Sequence, residues 1–139
     1  MDDAKRELVR AWLIKARNDL TTARGIGSLP DGPLDTAIYH CQQVAEKAVK
    51  GFLAFHDHRL ERSHDVERLA GLAAGYEASF KRYEDAAITL TPYATAYRYP
   101  GESAMLEPSR AEFDEALKLA DGFLTFVCSL LPAEVQPGK

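Results

Sequence analysis

Leu34-Asp35-Thr36-Ala37-Ile38-Tyr39-His40-Cys41-Gln42-Gln43-Val44-Ala45-Glu46-Lys47-Ala48-Val49-Lys50-Gly51-Phe52-Leu53-Ala54-Phe55 is the stretch whose pattern decides the fold. At about 100° per residue, Leu34, Ala37, Ile38, Cys41, Val44, Ala45, Ala48, Val49, Phe52 and Phe55 gather on one broad apolar arc, which only a helix produces. Opposite that arc, Tyr39, Gln43, Glu46 and Lys50 form a polar stripe, flanked by His40, Gln42 and Lys47. Two readings fit the stripe. It is a solvated face carrying a Glu46–Lys50 pair one turn apart, or it is an association face in which Tyr39, Gln42, Gln43 and Glu46 meet a partner. A tyrosine beside amide side chains offers flat contact area and hydrogen bonds at low entropic cost, which suits the second reading.

The pattern continues on both sides. Leu8, Trp12, Ala16, Leu20 and Ala23 predict an amphipathic helix over residues 4–24, and Gly25-Ile26-Gly27-Ser28-Leu29-Pro30-Asp31-Gly32-Pro33 breaks it. That loop lacks the Gly-Lys-Ser/Thr ending of a phosphate cradle. After a polar stretch from His56 to Arg62, a short third helix is expected to start at Ser63 or His64. Ser63 would cap it, Asp65 would sit in its first turn, and Gly75 would end it. Phe80, Tyr83, Ala87 and Leu90 mark a fourth helix, kinked at Thr91-Pro92 and stopped at Arg98-Tyr99-Pro100-Gly101. Pro108 is placed as the first residue of a last helix whose apolar side runs from Ala116 to Leu131. No alternating strand pattern occurs. The expectation is an all-α, antiparallel, four- to five-helix up-and-down bundle, forming one domain over residues 1–132, with a disordered tail over 133–139.

The 139 residues suit one domain with one core, and 46% hydrophobic content can fill it. A net charge of −4 argues against sequence-blind binding to long nucleic acids, which depends on neutralising many phosphates. Cys41 and Cys128 lie on apolar faces, fit reduced buried thiols and form no Cys-x-x-Cys motif. The charged N-terminus is no secretory signal, and no stretch is apolar enough to span a bilayer. These features predict a cytoplasmic protein without membrane association. No motif asks for a cofactor.

Few residues stand out chemically. His56-Asp57-His58, with His64-Asp65 nearby, invites a metal reading, but nothing fixes ligands at the spacing helical metal sites use, so no metal site is assigned. Arg98, beside Tyr97 and Tyr99, pairs a planar cation suited to phosphate with a ring able to stack on a base. No nucleophile motif is present.

The run Ala37–Leu53 resembles the core motif of the HEPN (higher eukaryotes and prokaryotes nucleotide-binding) domain. Lys15-Ala16-Arg17-Asn18-Asp19-Leu20, Ser63-His64-Asp65-Val66-Glu67-Arg68-Leu69 and Ala96-Tyr97-Arg98-Tyr99-Pro100 resemble its first helix, short third helix and the segment after the fourth, in that order. The resemblance spans residues 8–131. It implies a homodimerising bundle, often partnered with a small nucleotidyltransferase in a toxin–antitoxin-like pair, and binding a nucleotide or RNA. Lys47, Lys50 and Arg98 become candidate anion contacts and Tyr99 a stacking surface. Some members are metal-independent ribonucleases that use an arginine and a histidine a few residues apart. Arg59 and His64 have that separation, but they precede the short third helix, Leu60 follows the arginine, and no histidine follows Arg98. The primary expectation is therefore a non-catalytic binding module, and the alternative is a ribonuclease using Arg59 and His64.

Overall fold

The computed structural model of the chain describes residues 1–100 and 106–138. Helix α1 (Asp3–Gly27) begins where the Asp2 carboxylate accepts the Lys5 amide at 2.7 Å. Helix α2 (Leu34–Phe55) has the bounds its apolar period predicts. It closes because Asp57 takes a left-handed conformation (φ 58°), which lets the His58 amide donate to the Leu53 carbonyl at 3.0 Å. Helices α3 (Val66–Ala74), α4 (Glu84–Leu90) and α5 (Arg110–Ser129) follow, with 3₁₀ turns at Ala78–Tyr83 and Thr91–Ala94 on either side of α4. Among the described residues there is no strand, and the architecture is the expected antiparallel bundle. No described helix is long and apolar enough to cross a membrane.

Helix α2 is the axis of the bundle, packing on α1, α5, α3 and the 91–94 turn. With neighbours on several sides, α2 buries most of its residues between Ala37 and Leu53. Glycine at 51 lets α1 come close, since a Cβ there would sit 3.1 Å from Cβ of Trp12. The centre is aromatic. Phe80 lies with its ring 4.7 Å from Phe52 and 4.9 Å from Phe126, on which Tyr83 stacks at 4.0 Å.

Several expectations are corrected. Helix α1 runs through Gly25 to Gly27, and its buried face at the N-terminal end is Val9 and Leu13, while Leu8 is 52% exposed and Trp12 half-buried. Helix α3 is capped by Asp65, which accepts the Arg68 amide at 3.1 Å, and Ser63 instead accepts the Asp65 amide just before the helix. Helix α5 is capped by Ser109, which accepts the Glu112 amide at 3.0 Å, so Pro108 lies just outside it. The tail expected to be disordered docks. Val135 is buried in a 3₁₀ turn (Ala133–Val135), and the Gln136 side-chain amide donates to the Cys128 and Leu131 carbonyls at 2.9 and 3.0 Å. The Pro137 carbonyl accepts from Arg17 of α1. Gly101 of the predicted stop signal and Lys139 of the tail lie outside the described residues.

Candidate functional site

Two polar assemblies sit along α2. In its middle, Glu46 Oε1 accepts from the side-chain amides of Gln42 (3.0 Å) and Gln43 (3.3 Å) and lies 3.0 Å from His64 Nδ1. Its Oε2 accepts from the Lys50 ammonium at 3.1 Å. Gln42 also donates to the His64 backbone carbonyl at 2.9 Å, and its own Oε1 accepts from Gln43 at 2.7 Å. Burial pushes the Glu46 carboxyl toward its neutral form, but the bonds from Gln42 and Lys50, the Lys50 charge and the His64 contact outweigh it and hold the group below the usual glutamate range. All four residues Gln42, Gln43, Glu46 and Lys50 are buried. The stripe is therefore not an open polar face, because α3 and the loop leading into it cover the side of α2 that the apolar arc leaves free. Gln42, Gln43 and Glu46 have little surface to offer a partner within this fold, and the Lys50 ammonium is held by Glu46 and lies over the Trp12 ring.

At the start of α2 the arrangement is open. A pocket of about 370 Å³ is lined by Asp35, Thr36, Tyr39, His40, Tyr97 and Arg98. The Arg98 guanidinium lies 4.0 Å from the centre of the Tyr39 ring and 5.5 Å from that of Tyr99. Among the described residues it meets no carboxylate. Behind it, Asp19 of α1 is nearly buried and accepts from Lys47 Nζ at 2.6 Å, while its other oxygen lies 2.7 Å from His40 Nδ1. A carboxylate can only accept, so Nδ1 of His40 carries a proton and donates to Asp19, which fixes the ring and leaves Nε2 without a partner from Asp19. Tyr97 donates to Glu112 Oε1 at 2.6 Å, and Tyr93 stacks beside it at 6.2 Å. Burial, with the Glu112 charge, pushes the Tyr93 hydroxyl up to about 12, and the bond to Glu112 raises that of Tyr97, which lines the pocket as a neutral ring. Helix α2 has no side-chain cap at Pro33, and its positive end adds to the Arg98 field. A planar cation, a flat ring and an anchored imidazole together suit a ligand that has both an anionic and an aromatic part.

The residues singled out from the sequence are thus dispersed. Arg98 and Tyr39 share the pocket, Lys47 supports it through Asp19, Tyr99 stands 67% exposed at its edge, and Lys50 belongs to the buried network. Arg59 and His64 are not brought together by any hydrogen bond among the described residues. Arg59 is exposed, whereas His64 is anchored on Glu46. The residue missed as a site member is Asp19, with His40 as its partner. Its signal was present, for Asp19 falls between Ala16 and Ala23 on the buried stripe of α1, where an unpaired carboxylate would not be tolerated. Among the described residues no group of three or more His, Cys, Asp or Glu is gathered closely enough to hold a metal ion.

Residues 9–131 match a family model described as the HEPN domain. Two crystal structures share the fold. TT1696 from Thermus thermophilus is 33% identical with a TM-score of 0.76, the match covering 88% of this chain and 98% of that one. ST0689, described as an archaeal HEPN homologue, is 28% identical with a TM-score of 0.70, covering 88% of this chain and 96% of its own. No curated protein matches the chain.

Proposed function

This chain belongs to the HEPN domain family, and from that premise we propose that it is a non-catalytic binding module whose pocket at the start of α2 takes a nucleotide or the end of a short RNA. The observation that carries the reading is Arg98, a guanidinium with no carboxylate partner among the described residues, stacked on Tyr39 at the mouth of a pocket backed by the Asp19-anchored His40. Phosphate would meet Arg98, the base would lie against Tyr39 or Tyr99, and His40 Nε2 would hydrogen-bond to the base or ribose. Isothermal titration with AMP and a short oligoribonucleotide tests it. Binding that weakens at least about tenfold in Arg98→Ala is expected, in line with the loss of one charge-assisted contact. Absence of affinity in the wild type ends the nucleotide part of the reading.

Association completes the proposal. The module acts in the cytoplasm as a homodimer beside a small nucleotidyltransferase, in a toxin–antitoxin-like pair. The family supports this, and the mostly buried polar stripe of α2 directs the search for the contact face elsewhere on the surface. Sedimentation of the purified protein and co-purification with the product of a neighbouring nucleotidyltransferase gene test the two halves separately.

One observation keeps the ribonuclease alternative in play. The His64 side chain is 72% exposed and fixed through Nδ1, so Nε2 is sterically open to take a proton from an RNA hydroxyl, with Arg59 on the same loop to neutralise a phosphorane. Under this reading the purified protein cleaves RNA without added metal and His64→Ala abolishes cleavage with the helical circular dichroism unchanged. Equal cleavage by the variant would exclude the pair.

A further inference from the structure

A second cavity, of about 470 Å³, lies at the far end of α2, between the first turns of α1 and the loop after Phe55. Its volume is typical of small-molecule sites, which run from roughly 300 to 1,000 Å³. The walls are mainly apolar, with Leu8, Trp12, Leu53, Ala54 and Leu60 in the lining. Leu8 and Leu60 are more than half exposed and share this lining, so they offer apolar surface to a ligand.

Two cations face this apolar bed in different ways. Lys50 also belongs to the lining, although only 8% of its side chain is exposed. Its ammonium has three donors. One goes to Glu46, and among the described residues no second acceptor meets it; the Trp12 ring lies 5.8 Å away. A buried ammonium with spare donors in a cavity lining is unusual, since buried polar groups are normally satisfied. Arg59, exposed on the rim, meets no acid among the described residues. Asp2 caps α1, and the other charges around the cavity are paired. Lys5 pairs with Asp57 at 3.0 Å, and Glu61 lies 3.4 Å from His58 and 3.5 Å from Arg68.

We propose that this cavity is a binding site for a small amphiphilic carboxylate, its apolar body on Trp12, Leu8 and Leu60 and its carboxylate between the Lys50 ammonium and the Arg59 guanidinium. The acids in the lining favour a monoanion over a dianion. Lys50 and Arg59 can share a single negative charge, whereas a phosphate dianion would bring a second one against Asp2, Asp57 and Glu61 in the same lining. The site is separate from the Tyr39–Arg98 pocket and shares no lining residue with it.

Trp12 is the single tryptophan of the chain, so its emission reports occupancy directly. Octanoate, octanol, inorganic phosphate and AMP are titrated in turn against the full chain. Octanoate is expected to give a saturable shift in Trp12 emission, octanol a response at least about tenfold weaker, and phosphate none. Arg59→Gln, a change on the exposed rim, weakens octanoate about fivefold or more without altering thermal unfolding, and Arg98→Ala leaves it untouched. The proposal is overturned by an absent or unsaturable octanoate response in the folded wild type, by equal affinity for octanol, or by AMP displacing octanoate. An unchanged affinity in Arg59→Gln also overturns the assigned headgroup position.

Discussion

The middle and the start of α2 carry similar polar side chains only a turn or two apart, yet they use them in opposite ways. In the middle, both Glu46 oxygens and the side-chain amides of Gln42 and Gln43 are spent on one another, on Lys50 and on His64. At the start, Asp19, His40 and Lys47 are tied together, but Arg98 and the outer nitrogen of His40 are left for something else. Burial decides the difference. A charge inside the bundle must be paired or the fold loses several kcal/mol, whereas a guanidinium at the edge keeps its water and can wait for a ligand. The closed cluster is thus expected to govern stability and the open one binding.

Substituting the centre of the closed cluster should give the largest effect. Glu46→Ala leaves the Lys50 ammonium buried without a counter-charge and two amides short of an acceptor, and should cost about 3–5 kcal/mol in urea denaturation. A cost no greater than that of Arg98→Ala would erase the distinction between the two regions. Asp19→Ala tests the border between them. It removes two charge-assisted contacts, but Lys47 and His40 are each about a quarter exposed and regain water, so a loss of about 1–3 kcal/mol is expected. Thermal unfolding measures this, and nucleotide affinity should fall with it because His40 loses its anchor.

Acid sharpens the comparison next. The folded state holds Glu46 below its ordinary range, so its contribution is complete above about pH 4.3, the usual glutamate value, and disappears as pH falls through the lower folded value. Unfolding free energy followed from neutral pH downward should therefore drop in the wild type, with a shallower acid limb in Glu46→Gln. The smallest stability change belongs to Arg98→Ala. It gives up a cation–ring contact worth about 1 kcal/mol or less, while nucleotide affinity suffers most. A loss of stability comparable to Asp19→Ala would mean that Arg98 is a structural strut.

Period and composition carried the bundle. The bounds of α2 were legible because its apolar arc runs unbroken from Leu34 to Phe55. The starts of α3 and α5 were not, because Ser63 and Asp65 can each cap α3 and Pro108 fits a first helical turn, and only the actual hydrogen bonds choose Asp65 over Ser63 and start α5 after Ser109. Helix α1 passes Gly25 since a single glycine costs only about 1 kcal/mol, which packing easily overrides. Glycine at 27 then leaves room for the Phe113 ring, which lies 2.5 Å from where a Cβ would stand. The site was half legible. Arg98 and Tyr39 were visible as residue types, but that the stripe below Tyr39 is covered depends on α3 folding back over α2, which no local pattern encodes. The Asp19–His40 contact, likewise, joins residues whose helices meet only in the fold.

The docked tail has a mechanical meaning. Gln136 grips the Cys128 carbonyl of α5 and the Leu131 carbonyl just beyond it, and the next residue is held by Arg17 on α1, so the chain leaves the bundle through a clamp that touches two helices. Tension applied to anything fused beyond that point is borne first by side chain–to–backbone bonds, and the buried Val135 shares the load. A pulling protease or an optical trap would therefore meet its first resistance at this clamp, before any turn of α5 begins to unwind.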